Sequence, residues 1–314
     1  MTAYILRRLI MAVPVMLIVA VTTFLLLHMT PGDPVAVLLG PDATTEQIEQ
    51  LRDQLGLNDP VHVQLARWFT GLLRGDLGQS IFLNKPVTEA ILERLAPTLE
   101  LSILASLVAI LIGVPTGILA AIRQGRLLDF GSMLVAMVGI SMPTFWLGLN
   151  LIFIFAVSLR WLPPQGYQPF QDGLWENLSR MILPAVTLGA GQGAFLARMT
   201  RSVMLDVLSE DFVRTARAKG LSEPRVLLAH VLRNGLIPVV TVVGLTFAIL
   251  MGGAVVTEQV FNIPGVGRLL IQAVLRRDFP LVQGIVLLIA LVYVLINLGI
   301  DILYAFLDPR IRYA

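Results

Sequence analysis

Six long stretches without a charged side chain dominate this sequence, at residues 9–32, 101–122, 130–159, 181–197, 234–257 and 279–300. A helix needs about 20 residues to cross the roughly 30 Å of hydrocarbon in a bilayer, and all but one of the stretches reach that length. The shorter stretch, 181–197, ends at Arg198, whose side chain can snorkel to the interface. Only 14% of the residues are charged, against about 25% in soluble domains. We therefore predict an all-α polytopic membrane protein with six transmembrane helices.

The first stretch follows Arg7 and Arg8 and could instead belong to a signal peptide. It is longer than the roughly 7–15 apolar residues of such a peptide, and no A-x-A cleavage site closes it. Residues 1–32 are therefore predicted to be a retained transmembrane helix.

The distribution of basic residues predicts the orientation. Six spans place both termini on one side, and the 198–234 loop on that side holds six arginines and Lys219. The short loops of the other side hold fewer basic residues, namely Arg160, Arg180, Arg268, Arg276 and Arg277. Because short cytoplasmic loops are rich in lysine and arginine, we predict that both termini are cytoplasmic.

This topology divides the chain into four parts. Residues 1–32 form the first span, and 33–100 an extracytoplasmic segment in which Thr44 or Thr45 caps a helix that ends at Gly56. Residues 101–308 form a core of five transmembrane helices with the cytoplasmic loop 198–234. Residues 309–314, with Arg310 and Arg312, form a cytoplasmic tail.

Several function classes lack their sequence signatures. The chain has no cysteine and no H-E-x-x-H, G-x-S-x-G or G-x-x-x-x-G-K-[ST] motif, so we predict no catalytic residue, metal site or cofactor in this chain. A net charge of +2 does not suggest nucleic acid as a partner. The six stretches contain no acid or base that could relay protons, which argues against a proton-driven transporter. An intramembrane hydrolase using Ser141 with His28 has the least support.

Mildly polar residues in or beside the spans are candidates for lining a translocation path. They could equally hydrogen-bond to backbone carbonyls within their own helices. These candidates are Thr98, Ser102, Ser141, Gln192, Thr246 and Glu258.

The stretch "SEDFVRTARAKG", 209–220, is polar and too short to span a bilayer. Ser209 is predicted to cap a helix with acids in its first turn and bases in its last, and Gly220 suits the position that follows a helix. Phe212 and Ala216 should share one face, with Val213 and Gly220 beside it, as a small apolar knob surrounded by charge. A second helix is predicted from Ser222. The segment is either an interfacial helix or a docking site for a cytosolic partner.

The segments "RTARAKG" 214–220 and "HVLRNGLIPVVT" 230–241 resemble the cytoplasmic loop of ABC importer permeases. The likeness extends along nearly the whole chain. The chain resembles the first permease subunit of dipeptide/oligopeptide importers, a branch that includes glutathione and nickel permeases. It rests on "HMTPGDPV" 28–35, "GDLGQS" 75–80, "RLAPTLELS" 94–102, "TEQVFNIPGVGRLL" 257–270, "RDFPLVQ" 277–283 and "DILYAFLDPRIRY" 301–313.

The resemblance implies a type I ABC importer fold in a bacterial inner membrane, with lipid around the spans. It implies as partners a second homologous permease, two cytosolic ATPases carrying ATP and Mg²⁺, and an extracytoplasmic substrate-binding protein. The 209–220 helix would then be the coupling helix. The implied ATPase-coupling residues are Glu210, Asp211, Phe212, Val213, Arg214, Thr215, Ala216 and Gly220.

The chain departs from the broad family pattern, E-A-A-x3-G, because Arg214, Thr215 and Ala216 stand where E-A-A would be. Glu210 or Asp211 could replace the missing glutamate. The alternative hypotheses are a glutathione or nickel permease of the same family and a membrane scaffold that transports nothing.

Overall fold

The computed structural model describes residues 2–29 and 32–307, and the chain is mostly helical there. The predicted tail 309–314, with Arg310 and Arg312, lies outside these residues. So does the end of the "DILYAFLDPRIRY" motif. The elements in chain order are α1 Thr2–Met29, α2 Pro34–Leu39, α3 Thr45–Leu55, α4 Val61–Leu73, β1 Gln79–Ser80, β2 Lys85–Pro86, α5 Val87–Ile122, α6 Leu127–Ser141, α7 Thr144–Leu151, α8 Leu174–Ser209, α9 Asp211–Ala218, α10 Glu223–Arg225, α11 Arg233–Val260, α12 Val266–Leu275 and α13 Phe279–Leu307. A π-helix, Ile152–Ser158, follows α7, another, Val226–Leu232, joins α10 to α11, and a 3₁₀ turn covers Phe170–Asp172.

Contacts within the chain divide it into two compact units. The core unit comprises 98–263 and 295–307, and the N-terminal unit comprises 2–29, 32–97 and 264–294. The core unit has two apolar clusters, one around Leu101, Met181 and Phe261 and one around Leu196 and Met204. The N-terminal unit packs β1, β2 and the first turns of α5 against α12 and α13, around a cluster that includes Val87, Leu269 and Ile285.

Four helices among the described residues are long and apolar enough to cross a membrane: Leu6–Met29, Val87–Ile122, Glu223–Gly252 and Phe279–Leu303. The bent pair Leu127–Ser141 and Thr144–Ser158 would add a fifth. The stretch 181–197 lies in the 36-residue helix α8, which is less apolar than the other long helices, and most of the stretch is buried in the core unit. The count of six transmembrane helices therefore stays a prediction.

The stretch 130–159, predicted as one span, is not a continuous helix. The chain bends by 101° between α6 and α7, where Met142 and Pro143 have extended backbones with ψ of 124° and 131°. Proline disfavours helical geometry in the residue before it and has no N–H to donate. The break at Pro143 thus follows from local chemistry, whereas its angle depends on packing.

Helices α5 and α8 approach closely at glycines of the sequence segments 113–117 and 189–193. A Cβ added to Gly113 would lie 2.6 Å from the carbonyl oxygen of Gly193, and one added to Gly189 would lie 2.4 Å from that of Ala105. Only glycine permits such backbone contact between membrane helices. This contact explains how α8, although less apolar than the other long helices, is buried.

The segment 33–100 contains three short helices and a two-stranded ladder. Thr44 caps α3 through a hydrogen bond from Gln47 N and forms a capping box with it, and Gly56 ends the helix with φ of +65°. The predicted cap and stop of this helix are therefore confirmed. Helix α5 begins at Val87, well before the predicted start at 101. Its first turns contain polar residues but are stabilised by packing within the N-terminal unit, so this part of the helix does not need to be a continuous apolar run.

Candidate functional site

The short polar helix of 209–220 is present as α9, Asp211–Ala218, with a different cap from the predicted one. Ser209 is the last residue of α8, and its Oγ donates to the carbonyl of Asp206 at 2.7 Å. The N-cap is Glu210, whose extended backbone separates the two helices. The predicted cap at Ser209 is therefore wrong, because α8 continues through that residue and turns at the next.

Most of the apolar knob predicted on α9 packs inside the protein instead of facing solvent. Val213 is completely buried and Ala216 is 6% exposed, and both belong to the apolar cluster of the core unit. Phe212 is 41% exposed and does not belong to that cluster. Phe212 and Ala216 lie one turn apart and share a side of α9, as predicted. Only the part of that side nearest Val213 is buried, so Phe212 stays exposed at its edge. The exposed face carries Phe212 among polar residues, including Arg214 and Thr215.

The end of α9 is fixed by a glycine and an ion pair. Gly220 has φ of +78°, so the predicted stop is confirmed. Nε of Arg217 donates to Oε1 of Glu223 at 2.7 Å and links α9 to α10. Ser222 has the predicted cap position, although its side chain makes no capping hydrogen bond. The helix that it starts runs through the π-helix into α11 without a break, so movement of α9 would act directly on that span.

A second contact ties α6 to α8 in the core unit. Nε and Nη2 of Arg201 donate to the two carboxylate oxygens of Asp129 at 2.6 and 2.8 Å, and Gly125 N donates to Asp129 at 2.9 Å. Asp129 is 3% exposed. The sequence reasoning missed this pair because its members are 72 residues apart and each looked like an ordinary loop charge.

Three of the predicted path residues lie together in the interior of the core unit. Oγ1 of Thr98 donates to Oε1 of Glu258 at 2.6 Å, and Oγ of Ser102 donates to the carbonyl of Thr98 at 2.8 Å. All three side chains are at most 2% exposed. In this conformation they are packing groups rather than groups that face an open space.

A tyrosine that the sequence reasoning did not single out lies in the same unit. The hydroxyl of Tyr167 donates to Oε2 of Glu100 at 3.0 Å. Burial, together with this hydrogen bond, raises the pKa of Tyr167 to about 12. The hydroxyl therefore stays protonated at physiological pH and remains a donor.

Two other predicted path residues, Ser141 and Gln192, line one open pocket of about 500 Å³ at the break between α6 and α7. Thr246 is 2% exposed, lies apart from this lining, and its hydroxyl has no hydrogen-bond partner among the described residues. The structure therefore divides the six candidates into a buried set, an open pair and one isolated threonine.

The hypothesis of an enzyme gains no site. Nδ1 of His28 lies 2.8 Å from the carbonyl of Phe24, and Nε2 lies 3.1 Å from Oε1 of Gln64, so both ring nitrogens are engaged. Among the described residues no group of three or more histidines and carboxylates could hold a metal ion.

Family models match almost the entire chain. Residues 113–313 match the binding-protein-dependent transport system inner membrane component, and residues 1–102 match the N-terminal part of such membrane components. Over 313 residues, covering both chains completely, the sequence is 48% identical to a putative peptide transport system permease of Brucella abortus. It is 46% identical to a probable peptide ABC transporter permease of Sinorhizobium fredii and 49% identical to a glutathione transport system permease of Salmonella paratyphi A, each again over its full length.

Solved structures give the same fold. Two inward-facing crystal forms of the methionine ABC transporter MetNI match with TM-scores of 0.55 and 0.57 at 18% and 20% identity. They cover 70% and 69% of this chain and 97% and 95% of the chains compared. At this identity the likeness shows the ABC importer permease fold.

Proposed function

The chain belongs to the family of binding-protein-dependent transport system inner membrane components, and on this premise we propose that it forms half of the translocation path of an ATP-driven importer for di- and oligopeptides. It is a permease component of an ABC importer for peptides or glutathione. We propose as partners a second, homologous permease, two cytosolic ATPases that carry ATP and Mg²⁺, and an extracytoplasmic binding protein. Both termini and the 198–234 loop would then be cytoplasmic.

The observation that carries this proposal is the two-sided packing of α9. Its inner face is anchored by Val213 and Ala216, its end is fixed by the pair of Arg217 with Glu223, and Phe212 stays 41% exposed. A short rigid helix with one exposed aromatic residue suits docking into a partner's pocket, because aromatic anchors contribute most to such interfaces. Glu210, Asp211, Arg214 and Thr215 surround this anchor as polar contacts.

A cysteine cross-link tests the docking. The natural chain has no cysteine, so each introduced thiol is unique. Ala216 is a poor position because it is buried, whereas Thr215 is exposed beside Phe212. We expect a Thr215→Cys variant to cross-link to the ATPase subunit of the assembled transporter. Gln124→Cys, exposed in another loop of the same predicted side, is the matched control and should cross-link weakly. Equal yields at both positions would contradict the assignment of α9.

Uptake assays test the substrate. A strain that lacks only this chain should lose uptake of short peptides, and the natural chain should restore it. Restored uptake of glutathione or Ni²⁺ without peptide uptake would replace the peptide proposal, and unchanged uptake of all of them would favour a scaffold.

Replacing Gly220 with valine should weaken coupling between substrate and ATP hydrolysis. A β-branched residue resists a φ of +78°, at a cost of about 1–2 kcal/mol, so the end of α9 should lose its fixed geometry. Crowding is not the cause, since an added Cβ would have no atom within 4 Å. We expect about tenfold lower substrate-stimulated ATPase activity in proteoliposomes, because a free-energy cost of this size corresponds to roughly a factor of ten.

Gly220→Asn is the matched control, because asparagine tolerates positive φ better than other side chains. It should retain most of the stimulation. Equal activity of the valine and asparagine variants would show that the left-handed backbone is not required.

A further inference from the structure

A cavity of about 410 Å³ lies entirely within the N-terminal unit. It shares no lining residue with the pocket at Ser141 and Gln192. It is formed by the end of α1, the α3–α4 connection, α4, the turn leading to β1, and the start of α13. Its volume is in the range of small-molecule sites, about 300–1,000 Å³. None of the residues proposed for coupling or for the path lines it.

One wall of the cavity is aromatic and held in place. Phe24 stacks on His28 with centroids 4.1 Å apart and on Trp68 at 5.8 Å, and Phe279 lies 5.9 Å from His28. Gln64 fixes this wall, since its amide donates to the carbonyls of Leu57 and Asp59 while its oxygen meets His28. The wall offers a rigid apolar surface to a ligand.

One of the polar side chains at the cavity is itself buried. Gln283 is 3% exposed and belongs to the lining of the cavity. Its amide group offers a hydrogen-bond donor and an acceptor to a ligand in the cavity. A ligand for this site should therefore carry an amide, which pairs with the glutamine.

The other polar lining points to the same chemistry. Gln54, Gln64 and Gln79 also line the cavity, and a glutamine amide presents the same donor and acceptor as a peptide group. Arg67 and Asp76, both exposed, supply one charge of each sign at the rim. Asp76 uses one carboxylate oxygen to accept from Gly78 N, and Arg67 is paired with Asp59.

We propose that this cavity is a binding site for a short peptide, with an apolar side chain against the aromatic wall of Phe24, Trp68 and Phe279 and the main chain bonded to Gln283. The site rests on the proposed peptide transport for its biological context and on the sidedness predicted for residues 33–100. It would receive peptide on the extracytoplasmic side.

Because Trp68 lines the cavity, its fluorescence can report peptide binding directly. In the full-length chain with Trp146, Trp161 and Trp175 replaced by phenylalanine, Trp68 is the single tryptophan. Titration of this purified chain in lipid nanodiscs with the dipeptide alanyl-phenylalanine should give a saturable change in tryptophan fluorescence. Alanyl-aspartate, which lacks the apolar side chain, should bind distinctly more weakly.

Three variants of this chain complete the test. Gln283→Leu keeps the size of the side chain and should weaken binding about five- to tenfold, the loss expected for one hydrogen bond. Gln79→Phe, at an exposed lining position, should fill the cavity and abolish the change, and Gln50→Leu, an exposed glutamine outside the lining, should leave it intact. No saturable change, or a change that neither Gln283→Leu nor Gln79→Phe alters, would overturn the site.

Uptake by the same single-tryptophan chain separates this proposal from the proposed function. Peptide uptake without a fluorescence change would overturn the cavity site alone. A fluorescence change that Gln79→Phe abolishes, in a chain that restores uptake of no peptide, would support the site and overturn the transport proposal.

Discussion

Replacing Val213 with aspartate is expected to detach α9 from the core unit and to abolish substrate-stimulated ATP hydrolysis. Val213 has no exposed surface and packs in the apolar cluster that includes Leu196 and Met204. A carboxyl group there would be buried without a partner, at a cost of about 3–5 kcal/mol. The detached helix should become accessible to trypsin at Arg214 and Arg217, which limited proteolysis of the assembled transporter measures.

Phe212→Asp is the matched control for this variant. It places the same charge one residue away, on the exposed face of α9, where it leaves the inner packing intact. Both variants should lose stimulation, since one loses the anchor for the ATPase and the other the position of the helix, but only Val213→Asp should gain trypsin cleavage. A Val213→Asp chain that resists trypsin as the natural chain does would refute the anchoring role.

Replacing Asp278 with alanine should open the contact between β1, β2 and the start of α13. Asp278 is 1% exposed and accepts hydrogen bonds from Ser80 Oγ at 2.5 Å, Phe82 N at 3.0 Å and Leu281 N at 3.2 Å. Alanine removes a helix cap and leaves these donors unpaired, at a total cost of about 3 kcal/mol or more. The amides of Phe82 and Leu281 should exchange with solvent about a hundredfold faster, measured by hydrogen–deuterium exchange.

Ser80→Ala serves as the comparison, because it removes one of the three donors and keeps the cap. It should speed exchange at Phe82 by less than tenfold, the effect of a single hydrogen bond. Equal rates of amide exchange at Phe82 in the two variants would show that the helix cap and the bond from Phe82 N contribute little. Ser80 would then be the essential partner of Asp278.

Features that depend on neighbouring residues could be predicted from the sequence. The cap at Thr44 and the stops at Gly56 and Gly220 were predicted correctly, since each depends on a few adjacent residues and on the freedom of glycine at positive φ. The cap at Ser209 was wrong for a related reason. Serine suits either the end of one helix or the start of the next, and the packing of α8 decides which.

Features that join distant residues were not predictable. Nothing in one sequence pairs Asp129 with Arg201, or Ser80 with Asp278, which are 198 residues apart. The candidate path residues show the same limit, because Thr98 and Glu258 are mutually bonded in the interior whereas Ser141 and Gln192 face an open pocket. A polar residue in a membrane helix is suited to both environments, so its type does not reveal its exposure.

The sequence by itself determined the membrane class, the position of most long helices and the existence of a short polar helix at 211–218. These follow from apolar length, charge and local backbone preference. Only the tertiary structure decided that Val213 packs inward while Phe212 stays exposed, that the chain bends by 101° at Pro143, and that Trp68 and Gln283 meet at one cavity. Periodicity places residues on the faces of a helix, but contacts between distant segments determine which face is buried.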